Sequence, residues 1–220
     1  MGKKLLISKS IAERDFNQFF DSERQMLINQ CIQTGYDLVN DYCKKAPEWL
    51  ALNGRGKRMI PEFKNSAVEF AIMQASKRKI LPFLWSVEEN AGKTGTYLKL
   101  TYNGACFTVN QTRNIDVCSR DAQFRQNLLD EYVTRLNLFD QGETATTIKH
   151  YFEINHGYQS KHPLFTVAGI PDGNHGWIFS KQLNRFTALS KGEDEDLKTV
   201  SKDISDFGED EFKDYLQGKI

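Results

Sequence analysis

Apolar residues recur at three- and four-residue steps over residues 22–44, where Leu27, Cys31, Leu38, Val39 and Tyr42 share a side. That spacing predicts a helix, with Ser22 as its cap. Ahead of it, Ile11, Phe16, Phe19 and Phe20 predict a shorter helix or a packed lead-in, and Pro47 ends the region. Residues 53–64 are rich in glycine and basic side chains and contain Pro61, so they read as a loop. A second helix is expected over 66–78, burying Val68, Ala71, Met73 and Ala75.

From there the period changes. Residues 80–87 are apolar and aromatic, and Pro82 assigns them to an edge or to the start of a strand. Residues 97–102 and 105–110 alternate around Asn103-Gly104. An Asn-Gly pair supplies both positive φ angles of a type I′ turn, so these two runs form a β-hairpin. Residues 121–136 return to helical spacing through Phe124, Leu128, Leu129 and Val133. Strands follow over 148–154 and 164–170, then a turn at Pro171-Asp172-Gly173-Asn174 and a further strand from Trp177. The expectation is an α+β fold with N-terminal helices and a central, mostly antiparallel sheet in helix-βββ-helix-ββ order. Residues 1–190 are read as one domain and 191–220 as an acidic, helical C-terminal appendage.

Composition narrows the class. Twenty-nine Lys and Arg balance twenty-nine Asp and Glu across 220 residues. A polycation that coats nucleic acid by bulk charge is thereby excluded, as is a wholly acidic mimic of nucleic acid. No stretch approaches the roughly 18 apolar residues of a membrane span. The opening Met-Gly-Lys-Lys-Leu-Leu-Ile is basic, but its apolar run stops after three residues, short of a secretory core of about 7–15. Position 6 is Leu where a myristoylation signal wants Ser or Thr. Cys31, Cys43, Cys106 and Cys118 form no Cys-x-x-Cys pair and are expected as free, mostly buried thiols. A cytoplasmic protein with no membrane partner, no cofactor and no metal is the expectation.

Helix, three strands, helix, strand from Ser66 onward resembles the core of the restriction-endonuclease-like fold, the PD-(D/E)xK superfamily. The resemblance is one of order, over about 100 residues. Nucleases of that class hold a metal with carboxylates on the second and third strands and a nearby Lys. Here Tyr97-Leu98-Lys99-Leu100-Thr101-Tyr102 carries no acid, and Val109-Asn110-Gln111-Thr112 stands where Asp/Glu-x-Lys would fall. Glu69 matches a recurrent acidic position, while Glu62-Phe63-Lys64 lies ahead of the helix. The resemblance therefore implies a degenerate, metal-free relative. The string from His156-Gly157-Tyr158 to Gly176-Trp177 is loosely similar to uncharacterised bacterial domains, often of mobile-element type, and implies bacterial or phage origin.

Charge is uneven along the chain. Residues 53–83 hold seven basic residues (Arg55, Lys57, Arg58, Lys64, Lys77, Arg78, Lys79) against Glu62 and Glu69. They form two groups flanking one predicted helix, a pattern suited to tracking a phosphate backbone. Arg113 extends the set beyond the hairpin. Gly-Arg-Gly-Lys-Arg lacks the spacing of a nucleotide P-loop.

All four histidines fall between positions 150 and 175. Histidine is the side chain whose ordinary pKa suits proton transfer near neutrality. If strands 148–154 and 164–170 pair antiparallel, His156 and His162 lie at one end, and His175 lies more than about 20 Å away at the other. The candidate catalytic set is His156 and His162 as an acid/base pair, Lys161 as an electrostatic clamp and Tyr158 as a stacking or proton-donating group. His150 reads as a core or edge histidine.

Residues 191–220 hold ten acids and five bases. Val200, Ile204, Phe207, Phe212 and Tyr215 could dock onto the body or onto a protein partner, or the tail could cover the basic helix and compete with nucleic acid. The leading functional expectation is a nucleic-acid-binding accessory protein, for DNA or RNA, in a mobile-element or defence setting. The alternatives are an inhibitor or antitoxin-like protein acting through its acidic tail, and a metal-independent ribonuclease or degenerate nuclease.

Overall fold

The structure is a computed structural model that describes residues 8–45, 55–90, 92–93, 95–139, 150–157, 160–183, 204 and 208–219. Its elements are α1 (Lys9–Phe19), α2 (Ser22–Lys45), α3 (Arg55–Lys77), β1 (Leu84–Glu89), β2 (Thr96–Tyr102), β3 (Ala105–Gln111), α4 (Gln123–Phe139), β4 (His150–His156), β5 (Thr166–Pro171), β6 (Trp177–Gln182) and α5 (Glu209–Leu216). The α+β class is as the sequence predicts; three strands rather than two follow α4, the third being the one expected from Trp177. No described helix is long and apolar enough to cross a membrane. Chain contacts divide the molecule into two compact units, 1–21 with 83–155 and 167–182, and 22–82 with 156–166 and 183–220.

The first unit is built on a six-stranded mixed sheet in sequential order. β1 pairs antiparallel with β2, β2 with β3, and β5 with β6. Asn103 and Gly104 sit at φ 48° and 75°, the left-handed values that the predicted turn requires. Between β3 and β4, Thr108 meets Tyr151 and Asn110 meets Asn155, so side-chain partners advance in the same direction on both strands, as in a parallel pair. β1 is the edge strand that Pro82 implied, but it starts at Leu84.

Alternation gives the sheet two different faces. One face is aromatic: Phe19 of α1 lies against Tyr102, Phe107 and Phe152 at centroid distances of 6.5, 6.1 and 5.4 Å, and Phe16 against Phe179 at 5.3 Å. Such tilted and edge-on contacts add to the area each ring removes from water. The opposite face carries Thr108, Asn110, Tyr151, Glu153 and Asn155, all buried. Tyr97 stacks there on Phe124 of α4 at 3.7 Å, whereas Tyr102 faces α1.

In the second unit α2 packs against α3. Gly35 makes this possible, because a Cβ there would lie 2.6 Å from the Val68 nitrogen and 2.7 Å from its Cα. The predicted loop over 53–64 is a correction: α3 already begins at Arg55 and contains Pro61. A proline in a helix interior removes one backbone hydrogen bond and costs about 3 kcal/mol. Burial of Ala67, Val68, Phe70, Ala71, Ile72 and Met73 on the same helix outweighs it. At the other end the Lys79 N–H donates to the Ser76 carbonyl at 3.0 Å and Ile80 N–H to the Ala75 carbonyl at 2.9 Å. These bonds close the helix as a Schellman motif, with Lys79 in the left-handed position at φ 62°.

Gly35→Val places two methyl groups where two backbones touch. The expected result in urea unfolding is a loss of about 2–3 kcal/mol. A variant within 0.5 kcal/mol of the parent, on the order of a neutral surface change, would contradict this packing.

Candidate functional site

The basic set divides on folding. Arg55, Lys57 and Arg58 occupy the first turn of α3, and the Lys57 and Arg58 side chains are exposed. Lys77, Arg78 and Lys79 are exposed at its far end. One continuous helix of 23 residues joins the two groups. From Arg58 to Lys77 the helical rise gives about 30 Å. Lys64 does not belong to this surface. It is 3% exposed, its ammonium donates to the Ser160 carbonyl and lies 4.9 Å from the Tyr36 ring centroid, and burial lowers its pKa. Arg78 lies 3.9 Å from Glu211. Arg113 is exposed on the loop after β3, in the first unit.

Local preference does not explain the cations of the first turn, nor the backbone position of Lys79. A helix N-terminus carries about half a positive charge, so cations in its first turn are disfavoured, by about 0.3–1 kcal/mol each. The left-handed C′ position favours glycine by roughly 1 kcal/mol over a residue with a side chain. At the other end the dipole favours cations, and Lys77 in the last turn, with Arg78 and Lys79 just beyond it, complements it.

The histidine set separates as well. His156 closes β4 and is fully buried, and burial pulls its pKa down to about 3. It is therefore neutral near pH 7. Its Nδ1 lies 3.0 Å from the Tyr36 hydroxyl, which donates to the Gly157 carbonyl. With that proton committed, Nδ1 acts as the donor and Nε2 as the unprotonated nitrogen. Nε2 has no hydrogen-bond partner among the described residues. His162, in contrast, is exposed, with Nδ1 at 3.1 Å from Gln33 Nε2 and 3.9 Å from Asp37 Oδ1. Lys161 is exposed, and its carbonyl accepts from Asn40 Nδ2 at 2.7 Å. Tyr158 lies outside the described residues. A buried histidine and an exposed one are not a shared proton-transfer pair in this arrangement. Both hold their loop to α2.

Sequence reading missed a second cluster, on the polar face of the sheet in the first unit. Glu153, 2% exposed, accepts from the Ser119 N–H at 2.9 Å, Asn155 Nδ2 at 3.2 Å and the Tyr151 hydroxyl at 3.3 Å. Arg125 Nη2 donates to Asn110 Oδ1 at 2.5 Å, and Asn110 Nδ2 donates to Asn155 Oδ1 at 3.1 Å. Burial, with the charge of Glu153, pushes the Tyr151 pKa well up, so the phenol keeps its proton. A hollow of about 20 Å³ opens beside Ser119, Arg125, Tyr151 and Glu153. That is room for one water-sized group. Ser119 Oγ and Arg125 Nε, both unpartnered among the described residues, line it. The visible signal was Tyr151-x-Glu153-x-Asn155 alternating with the apolar Phe152 and Ile154; covering by α4 buries what alternation alone leaves wet.

Burial raises the thiol pKa values, that of Cys106 to about 12, so Cys31, Cys106 and Cys118 are poor nucleophiles at neutral pH. All four cysteines are free. Among the described residues no group of three or more His, Cys, Asp or Glu is placed to hold a metal ion. No family model, curated protein or solved structure matches this chain.

His156 yields a pH prediction. Its folded pKa of about 3 lies below the ordinary 6.5, so the folded state binds fewer protons than the unfolded chain between those values. Stability from its neutral burial is complete above pH 6.5 and falls on acidification towards pH 3, by on the order of 1 kcal/mol per pH unit. Urea unfolding at pH 7 and pH 5 should show a clearly smaller decline in His156→Asn than in the parent. Equal declines would mean that another group carries the acid sensitivity.

Proposed function

We propose that the protein binds the phosphate backbone of nucleic acid through the cations at the two ends of α3. The observation that carries this reading is their placement against local preference: Lys57 and Arg58 in a first turn, Lys79 at a left-handed position. Cations retained where the backbone disfavours them are accounted for by a ligand that needs them. The spacing fits as well. About 30 Å along α3 approaches the ~34 Å of one duplex turn, a separation compatible with phosphate contacts at both ends of the helix.

Phosphate contacts carry little sequence information, so this surface supports affinity and positioning rather than base readout. A duplex with its regular phosphate spacing is the substrate class favoured over a single strand. The accessory role in a mobile-element or defence setting rests on the loose sequence similarity and accompanies this reading.

Charge reversal tests it. With labelled duplex DNA of about 24 base pairs, Lys57→Glu with Arg58→Glu should weaken binding roughly 10- to 100-fold at about 100 mM salt. The slope of log affinity against log salt should shrink by about 2, since each lost contact removes ~0.9. Unchanged affinity and slope in the folded double variant would remove α3 from the interface.

A further inference from the structure

The basic helix does not stand alone in its unit. α5 lies against it: Phe212, 4% exposed, and Tyr215 pack on Phe70 of α3 at centroid distances of 5.4 and 5.5 Å. The Tyr215 hydroxyl donates to Glu69 Oε2 at 3.5 Å. This seating brings Glu211 Oε2 to 3.9 Å from Arg78 Nη2, at the C-terminal cation group. Asp210 and Asp214 are engaged locally, with Lys213 at 3.1 Å and Lys219 at 3.2 Å.

We infer that α5 is an intramolecular competitor of nucleic acid, occupying the Arg78 end of the surface with a carboxylate in place of a phosphate. The inference rests on the reading of α3 as a phosphate-binding helix and adds its regulation. Its physical basis is bistability. α5 has eight residues, too few to hold a helix alone in water, so undocking and unfolding of this segment are one event. The contacts described for it are two aromatic anchors, the Tyr215–Glu69 hydrogen bond and a surface ion pair, and an ion pair of that exposure is weak and screened by salt. A polyanion with several charges can therefore displace it. By linkage, anything that draws α5 away, such as a partner that grips Phe212 and Tyr215, raises affinity for nucleic acid by the same factor by which nucleic acid favours that partner.

The test compares the full-length parent with two full-length variants, using anisotropy of labelled 24-base-pair DNA at 50 and 150 mM KCl. Phe212→Ala with Tyr215→Ala removes the anchors; Glu211→Gln removes only the charge at an exposed position and leaves the packing intact. The anchor variant should bind roughly 5- to 20-fold tighter than the parent and Glu211→Gln roughly 2- to 4-fold tighter, with the advantage smaller at the higher salt. Variants that bind no tighter than a parent that does bind would overturn the competitor role while leaving the α3 interface standing. Failure of all three proteins to bind at 50 mM would overturn the reading of α3 and the inference with it. Weaker binding by Glu211→Gln, which keeps α5 seated, would make α5 part of the interface rather than its competitor.

Discussion

Two helix backbones meet at Gly35, and much of the second unit depends on that approach. Because no side chain stands between Gly35 and the Val68 backbone, α2 and α3 seat closely enough to bury one face of α3 from Lys64 to Ala75. That burial sustains helix through Pro61, and helix through Pro61 is what connects two short cationic segments into a single element. A larger residue at position 35 would separate the helices, and the proline would then have little to oppose it. The same pair of helices fixes the loop after β4 by three bonds, from Tyr36, Asn40 and Lys64 to the carbonyls of Gly157, Lys161 and Ser160. Lys64, a cation in the sequence, is spent on this internal task.

The first unit answers a different constraint, the disposal of polar groups inside a sheet covered on both faces. Its aromatic face is held by area and ring geometry. On the other face a buried carboxylate needs donors, and Ser119, Tyr151 and Asn155 supply three. A buried polar network rigidifies the core where its members are partnered, while leaving one partner out is costly. Among the described residues, Ser119 Oγ and Arg125 Nε in this network have no hydrogen-bond partner, and both residues border the small hollow. An ordered water is the occupant its size allows.

Legibility of the fold followed the strength of local signals. The Asn103-Gly104 hairpin and the helix of α2 were readable because turn chemistry and a three-to-four-residue period are encoded locally. The start of α3 was hidden, since glycines and Pro61 are breakers by propensity and only the packing against α2 overrides them. The candidate surface was legible in part: clusters of Arg and Lys show in any sequence, but that Lys64 turns inward and that Lys79 adopts a left-handed backbone depends on tertiary contacts. His156 illustrates the same limit, because its chemistry suits catalysis on paper, whereas full burial leaves it neutral and reserved for Tyr36. The docking of α5 was visible as two aromatics at a helical step of three; which surface they meet was not.

The account turns on whether α3 meets phosphates, and salt reports that directly. Equilibrium binding of the full chain to duplex DNA, followed from about 30 to 300 mM KCl, should give log affinity falling linearly with log salt. Four exposed cations (Lys57, Arg58, Lys77 and Lys79) each worth ~0.9 set the expected slope near −3 to −4. A slope near zero, or no binding at the lowest salt, would contradict the account.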